Sequence, residues 1–193
     1  MRLKMKDFVL LALLTALYII VYFVAMMVIS IMGPFGHAIS PGVCGLLSGA
    51  ILIFISRKIG KMWQFTLMEL IIMGVFALMG AGYLPWFITS MIGAVLADVI
   101  ASTSNKPSVI KVAIASGLIH VGNALGGIIP ACFFAEQYMN EWIARGQKPD
   151  QMLEMVKATQ GVMGILGTVI TFILSVIGVY IGYSILKGHL KEN

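Results

Sequence analysis

Long apolar runs separated by short polar connections account for most of the chain. A helix needs about 20 predominantly apolar residues to cross a bilayer, and this pattern predicts about six such helices. The predicted spans cover about residues 7–32, 41–56, 61–79, 83–102, 109–134 and 161–186. We therefore predict an all-α integral membrane protein that forms one domain over residues 1–193.

One long polar stretch interrupts this pattern, over residues 135–160. Its apolar residues recur at helical spacing, first around Tyr138 and Trp142 and again around Met152. The pattern predicts one or two amphipathic helices that break near "RGQKPD". Two interpretations stay open for this segment: a helix lying on the outer membrane surface, or a lid over the mouth of the bundle.

Composition supports the membrane setting. Charged residues make up only 11% of the chain, whereas a soluble domain has roughly 25%. The first apolar run is too long for the core of a signal peptide, and no small-residue cleavage site follows it, so we expect a retained membrane helix. The predicted location is the cell membrane.

Basic residues predict the orientation, because cytoplasmic loops collect Lys and Arg. With six spans, ten of the 13 basic residues fall on one side. They are Arg2, Lys4, Lys6, Arg57, Lys58, Lys61, Lys106, Lys111, Lys187 and Lys191. Both termini are therefore predicted to be cytoplasmic. The net charge of +5 is a topology signal, and its scatter over short loops argues against nucleic-acid binding.

Several predicted helices carry stripes of small residues, which let membrane helices approach closely. Most of these stripes should be packing seams within the bundle: Gly42, Gly45 and Gly49; Ala94, Ala97 and Ala101; Gly161, Gly164, Gly167, Gly178 and Gly182. The first helix has Ala12, Thr15 and Ala16, one to two turns after a basic leader. That stripe is either another internal seam or a surface for a different polypeptide.

The layout resembles the substrate-binding S components of energy-coupling factor (ECF) importers, and most closely their Trep_Strep group. Those proteins have about six helices, cytoplasmic termini and A-x-x-x-A in the first helix, here Ala12 and Ala16. The resemblance implies that Ala12, Thr15 and Ala16 dock on a transmembrane coupling subunit, which works with two ATPases. No G-x-x-x-x-G-K-[ST] motif occurs in the chain itself, so ATP hydrolysis would belong to those partners.

Ionisable residues inside predicted spans are functional candidates. Glu69 and Asp98 lie at similar depth on the third and fourth helices, which could bring them together or to a shared basic residue. They are either structural, as an ion pair or a protonated carboxyl bonded to a backbone carbonyl, or a contact used in coupling or toppling. His120 and Asn123 share one face of the fifth helix. They either form hydrogen bonds to a neighbouring helix or line the floor of a ligand cavity.

Three further residues are candidates near the outer side. His37 falls in "MGPFGHAISPG", a stretch rich in turn residues, and by the resemblance Phe35 and His37 would touch substrate. Trp86 is either an interfacial anchor or an aromatic wall for a ligand. Gln160 opens the last helix and offers a donor to the rim of a pocket.

No cofactor is expected. Cys44 and Cys132 match neither a zinc site nor a redox pair, and both are predicted to be buried, inert thiols. Methionines such as Met26, Met27 and Met32, together with His37, leave soft-metal or haem-iron ligation as a minor alternative.

We expect a membrane-embedded capture subunit that is not an enzyme. Its substrate would be a vitamin-like micronutrient, or a haem or metal-bearing compound. A strongly anionic ligand is disfavoured, because the outer half lacks inward Arg or Lys. Two alternatives remain: a membrane hydrolase that uses Glu69, Asp98 or His120, and a small stand-alone transporter, which should show a broken-helix repeat.

Overall fold

The computed structural model describes residues 3–102 and 107–188, and in these ranges it contains eight helices and no strand. They are α1 (Met5–Ser30), α2 (Pro34–Lys58), α3 (Gln64–Leu78), α4 (Leu84–Ala101), α5 (Val109–Phe133), α6 (Ala135–Ala144), α7 (Pro149–Thr159) and α8 (Gly161–Leu186). The prediction of an all-α membrane protein is confirmed.

Within residues 3–102 and 107–188, five helices are long and apolar enough to cross a membrane: α1, α2, α4, α5 and α8. The predicted third span is shorter than expected, because α3 has only 15 residues. At 1.5 Å per residue it extends about 22 Å, which is less than the hydrocarbon core of about 30 Å.

The prediction of a turn-rich loop around His37 was wrong. Helix α2 begins at Pro34, seven residues before the predicted start, and Pro41 lies inside it. Proline is favoured in the first helical turn, where its missing N–H would have no partner anyway. His37 and the glycines beside it are therefore helical.

Contacts between helix ends give the direction of each helix. The ion pair between Asp7 and Lys61, 2.5 Å long, places the start of α1 beside the connection from α2 to α3. Antiparallel packing of α3 on α4 follows from Phe65 N–H donating to Asp98 at one end and from ring contact between Phe76 and Trp86 at the other.

The contacts of the glycines give the relative directions of the other membrane-spanning helices. Gly42 faces Thr171 and Gly178 faces Leu46, so α2 and α8 run parallel. Gly126 lies against Trp86 and Gly93 against Leu118, so α4 and α5 are antiparallel. The start of α1 and the end of α8 consequently lie at the same end of the bundle. The described basic residues of the predicted cytoplasmic side are at this end as well, whereas Arg2, Lys106 and Lys191 lie outside the described residues.

Glycines hold two helix pairs at very short range. A Cβ atom at Gly42 would lie 2.6 Å from the Thr171 Cα, and one at Gly126 would lie 2.5 Å from the Trp86 Cα. The predicted seams of Gly42, Gly45 and Gly49 on α2 and of Gly167, Gly178 and Gly182 on α8 are therefore interfaces between these two helices, whereas Gly164 faces Ile128 of α5. Gly161 is the exception, since it is exposed at a positive φ of 57° and nothing lies near it.

Helices α6 and α7 form a hairpin at the end of the bundle opposite to the described basic residues of the predicted cytoplasmic side. Tyr138 of α6 and Met152 and Val156 of α7 are buried in one cluster with Tyr83 and Ala131, at the adjacent ends of α4 and α5. The hairpin thus lies against the bundle end, as expected for the lid interpretation.

Candidate functional site

A cluster of buried and half-buried polar side chains lies along α5, where this helix faces α1 and α4. We call it the central polar cluster, and it consists of Tyr18, Trp86, Ser90, His120 and Asn123. It therefore contains three of the predicted substrate-binding residues, Trp86, His120 and Asn123.

His120 bridges α5 to α1. Its Nδ1 lies 2.7 Å from the Ser116 carbonyl oxygen, which can only accept, so Nδ1 carries the hydrogen. Nε2 is then an acceptor for the Tyr18 hydroxyl, 3.0 Å away. His120 is only 1% exposed, and both of its ring nitrogens have hydrogen-bond partners within the protein.

Asn123 joins α5 to α4. Its Oδ1 accepts from Trp86 Nε1 at 2.9 Å and from Ser90 Oγ at 3.1 Å, while its Nδ2 donates to the Ile119 carbonyl at 3.1 Å. Trp86 is thus oriented by a hydrogen bond into the bundle, whereas an interfacial anchor would face the headgroups.

Glu69 of α3 lies beside this cluster and is completely buried. Both of its carboxyl oxygens lack a hydrogen-bond partner among the described residues. The Asn123 side chain lies close to the Glu69 carboxyl group, but no hydrogen bond of normal length and angle joins the two. Tyr18, Tyr22 and Cys44 lie within electrostatic range of the same carboxyl group. A buried carboxyl group without a partner is costly, and this one has no structural explanation in the fold.

Asp98, in contrast, has a full structural role. Its carboxylate accepts from the backbone N–H groups of Phe65 and Thr66, at 3.1 and 2.8 Å, and from the Thr66 hydroxyl at 2.7 Å. These donors lie in the first turn of α3, where backbone N–H groups have no partner within the helix. Asp98 and Glu69 therefore have separate surroundings.

The other predicted substrate-binding residues lie away from the central polar cluster. Phe35 lines an open groove of about 590 Å³ together with Pro34, Lys157 and Met163, between α2, α7 and α8. His37 is exposed on α2. Gln160 donates to the Ala131 carbonyl at 2.6 Å, which ties the start of α8 to α5.

The small residues of α1 do not share one face. Ala12 and Ala16 are exposed on the outside of the bundle. Thr15 is fully buried and its hydroxyl donates to the Leu11 carbonyl at 2.7 Å. The expectation that all three form one docking stripe was therefore wrong for Thr15, which turns toward the interior.

Two tyrosines at the hairpin end lie outside the membrane-spanning helices. Burial raises the pKa of Tyr138 to about 12, with Tyr83 adding to the effect. Burial also raises the pKa of Tyr83 to about 12, and the negative charge of Glu141 contributes. Both hydroxyls are therefore protonated throughout the physiological pH range.

A family model described as a hypothetical bacterial integral membrane protein (Trep_Strep) matches residues 5–192. The chain belongs to the Trep_Strep family. No curated protein and no solved structure matches it. As a Trep_Strep protein with five long apolar helices, it is a multi-pass protein of the bacterial cell membrane.

In the described part of this Trep_Strep protein, no three His, Cys, Asp or Glu side chains are grouped to hold an ion. Cys44 is buried as predicted, but Cys132 is exposed, so the prediction of two buried thiols was wrong for Cys132. It lies at the outer end of α5, where the bundle gives way to the hairpin.

Sequence reasoning missed Tyr18 and Ser90 in this Trep_Strep protein. The signal for Tyr18 was available, because it continues the buried face of α1 that Asp7, Leu11 and Thr15 begin. A hydroxyl on the inner face of a membrane helix needs a partner, and His120 is the group that supplies it.

Proposed function

We propose that this Trep_Strep protein is the substrate-capture S component of an ECF-type importer. It would bind a vitamin-like micronutrient, or a haem or metal-bearing compound, from the outer side of the membrane. A coupling transmembrane subunit and two ATPases would complete the importer, because the chain carries no phosphate-binding loop of its own. The protein would then tilt in the membrane to release the substrate inward.

The observation that carries this proposal is the bare patch formed by Ala12 and Ala16. Both are exposed near the basic end of the bundle, and none of the chain's own helices covers them. Large side chains surround the patch, among them Val9 and Leu13, 58% and 65% exposed. Two small residues within such a surface let a partner helix approach the backbone closely without polar contacts.

The opposite end of the bundle suits capture. The groove beside Phe35 is open to the outside, and Lys157 and Glu154 provide polar groups on one wall. The α6–α7 hairpin covers the neighbouring helix ends, where Arg145 donates to the Gly82 carbonyl at 2.7 Å. Such a hairpin can close over a ligand with few bonds to break.

Coexpression with a coupling subunit and two ATPases tests the proposal. A tagged chain should retain all three partners, as judged by a pull-down from detergent. Ala12→Trp and Ala16→Trp should each abolish or strongly reduce their recovery, because an indole prevents close helix approach.

Ile181→Trp is the matched control, since Ile181 is also exposed near the basic end but lies on α8. It should leave recovery of the partners unchanged. Undiminished recovery with both alanine variants, or equal loss with the control, would contradict the docking role.

A further inference from the structure

We propose that Glu69 is the recognition group for an organic cation that carries a flat ring. This inference rests on the proposed function, because it names the class of micronutrient that the capture subunit would take. Among the described residues, Glu69 is a fully buried carboxyl group whose two oxygens both lack a hydrogen-bond partner.

Neither described ion pair involves the carboxyl group of Glu69. Lys61 is paired with Asp7, and Arg145 is paired with Glu141. The nearby His120 has both nitrogens bonded, to Tyr18 and to the Ser116 carbonyl. A carboxylate buried in a membrane protein normally has a partner. A positively charged ligand would provide the partner that the chain lacks.

Aromatic rings lie between Glu69 and the outer end of the bundle. Phe76 is two turns beyond Glu69 on the same buried face of α3. Its ring centroid is 5.0 Å from that of Tyr22 and 5.5 Å from that of Trp86. Aromatic faces attract cations electrostatically and stack on flat rings. A cationic ring that entered the bundle from the outer end would meet these aromatic side chains before it reached Glu69.

An inorganic ion fits these surroundings poorly. Divalent cations such as Ca²⁺ take six or more oxygen ligands, whereas Glu69 is a single carboxyl group among aromatic side chains and the Asn123 amide. The Asn123 amide, with its oxygen already accepting two hydrogen bonds, can act only as a donor or as a shape-defining wall. An organic cation needs one carboxylate and a ring surface, which this place provides.

Binding of N-benzylpyridinium to the purified full-length protein in nanodiscs tests the inference. Diphenylmethane serves as the neutral analogue of similar shape. The cation should raise the apparent melting temperature and quench tryptophan fluorescence, because Trp86 borders the site. The neutral analogue should do neither at the same concentration.

Glu69→Gln should weaken N-benzylpyridinium binding by about tenfold or more, since it removes the charge but retains the shape. Phe76→Leu should weaken it by about threefold, through loss of the ring contact. Glu136→Gln, an exposed carboxylate on α6, is the control and should bind like the original chain.

Equal binding of the cation and the neutral analogue, no binding of the cation, or unchanged binding by Glu69→Gln would each overturn the inference. Because these measurements need no partner subunit, they are independent of the pull-down. A complex that forms without cation binding removes only the substrate class. Glu69-dependent cation binding without complex formation removes only the ECF role.

Discussion

The pairs α2–α8 and α4–α5 differ sharply from helices α1 and α3 in how they are packed. In the two pairs, glycines bring the backbones together, so that an added Cβ atom would collide with the facing helix. Helix α1 contacts the bundle with a narrow face of large side chains, and most of its surface is exposed. Helix α3 is short, and at its first turn it depends on Asp98.

We infer from this contrast that α1 and α3 are easier to displace than the glycine-packed pairs. Close backbone packing is hard to rearrange, because any displacement creates voids along the whole interface. Side chains and single hydrogen bonds can be displaced individually. A ligand that reaches Glu69 would therefore do so by moving α1 or α3 while the glycine-packed pairs stay fixed.

The largest effect is expected from Gly49→Val, which places two methyl groups against the backbone of Gly178. Overpacking at a backbone contact cannot be relieved by side-chain movement. We therefore expect the free energy of unfolding to fall by about 3 kcal/mol or more. The measurement is the apparent melting temperature and monodispersity in detergent.

Gly74→Val is the control for that substitution, since nothing lies within 4 Å of a Cβ atom at this exposed position of α3. It should leave the melting temperature nearly unchanged. A similar loss for both valines would mean that the contrast between the two regions does not exist.

A smaller effect is expected from Asp98→Ala, which leaves the backbone N–H groups of Phe65 and Thr66 without an acceptor. We expect the free energy of unfolding of this variant to be about 2 kcal/mol lower. If α3 can unfold or detach while the glycine-packed pairs stay intact, amide hydrogen exchange should increase in α3 and remain slow in α2 and α8. Exchange that rises equally in all three helices would show that α3 is as firmly held as the glycine-packed pairs.

The smallest effect is expected from Tyr18→Phe, which removes the hydroxyl that His120 Nε2 accepts from. Hydrogen bonds between membrane helices contribute about 1 kcal/mol. The variant should lower the melting temperature slightly and accelerate proteolysis or exchange within α1. Ser184→Ala, at an exposed position near the end of α8, is a control that should change neither.

Hydrophobic patterning predicted most of the fold. The last predicted span, 161–186, coincides with α8, and the break near "RGQKPD" falls between α6 and α7. The pattern failed at the start of α2, because the prolines and glycines that favour turns in water are tolerated in membrane helices that pack tightly.

The candidate site was only partly predictable. An ionisable or amide side chain within an apolar run is visible in the sequence, which is why Glu69, His120 and Asn123 were candidates. Which of them would meet depends on helix rotation, and no local signal distinguishes the bound carboxylate of Asp98 from the unpaired one of Glu69. Rotation also decided that Thr15 turns inward while Ala12 and Ala16 do not.

The ion pair between Asp7 and Lys61 has a mechanical consequence. The Ser102 hydroxyl lies 3.1 Å from the Lys61 carbonyl oxygen and 3.3 Å from the Asp98 carboxylate, and its single hydrogen can be donated to either acceptor. Asp98 in turn binds the first turn of α3. The start of α1 is thus connected to the first turn of α3 through a short series of polar contacts. A coupling subunit bound at Ala12 and Ala16 would therefore contact the helix whose start is connected to α3, the helix that carries Glu69.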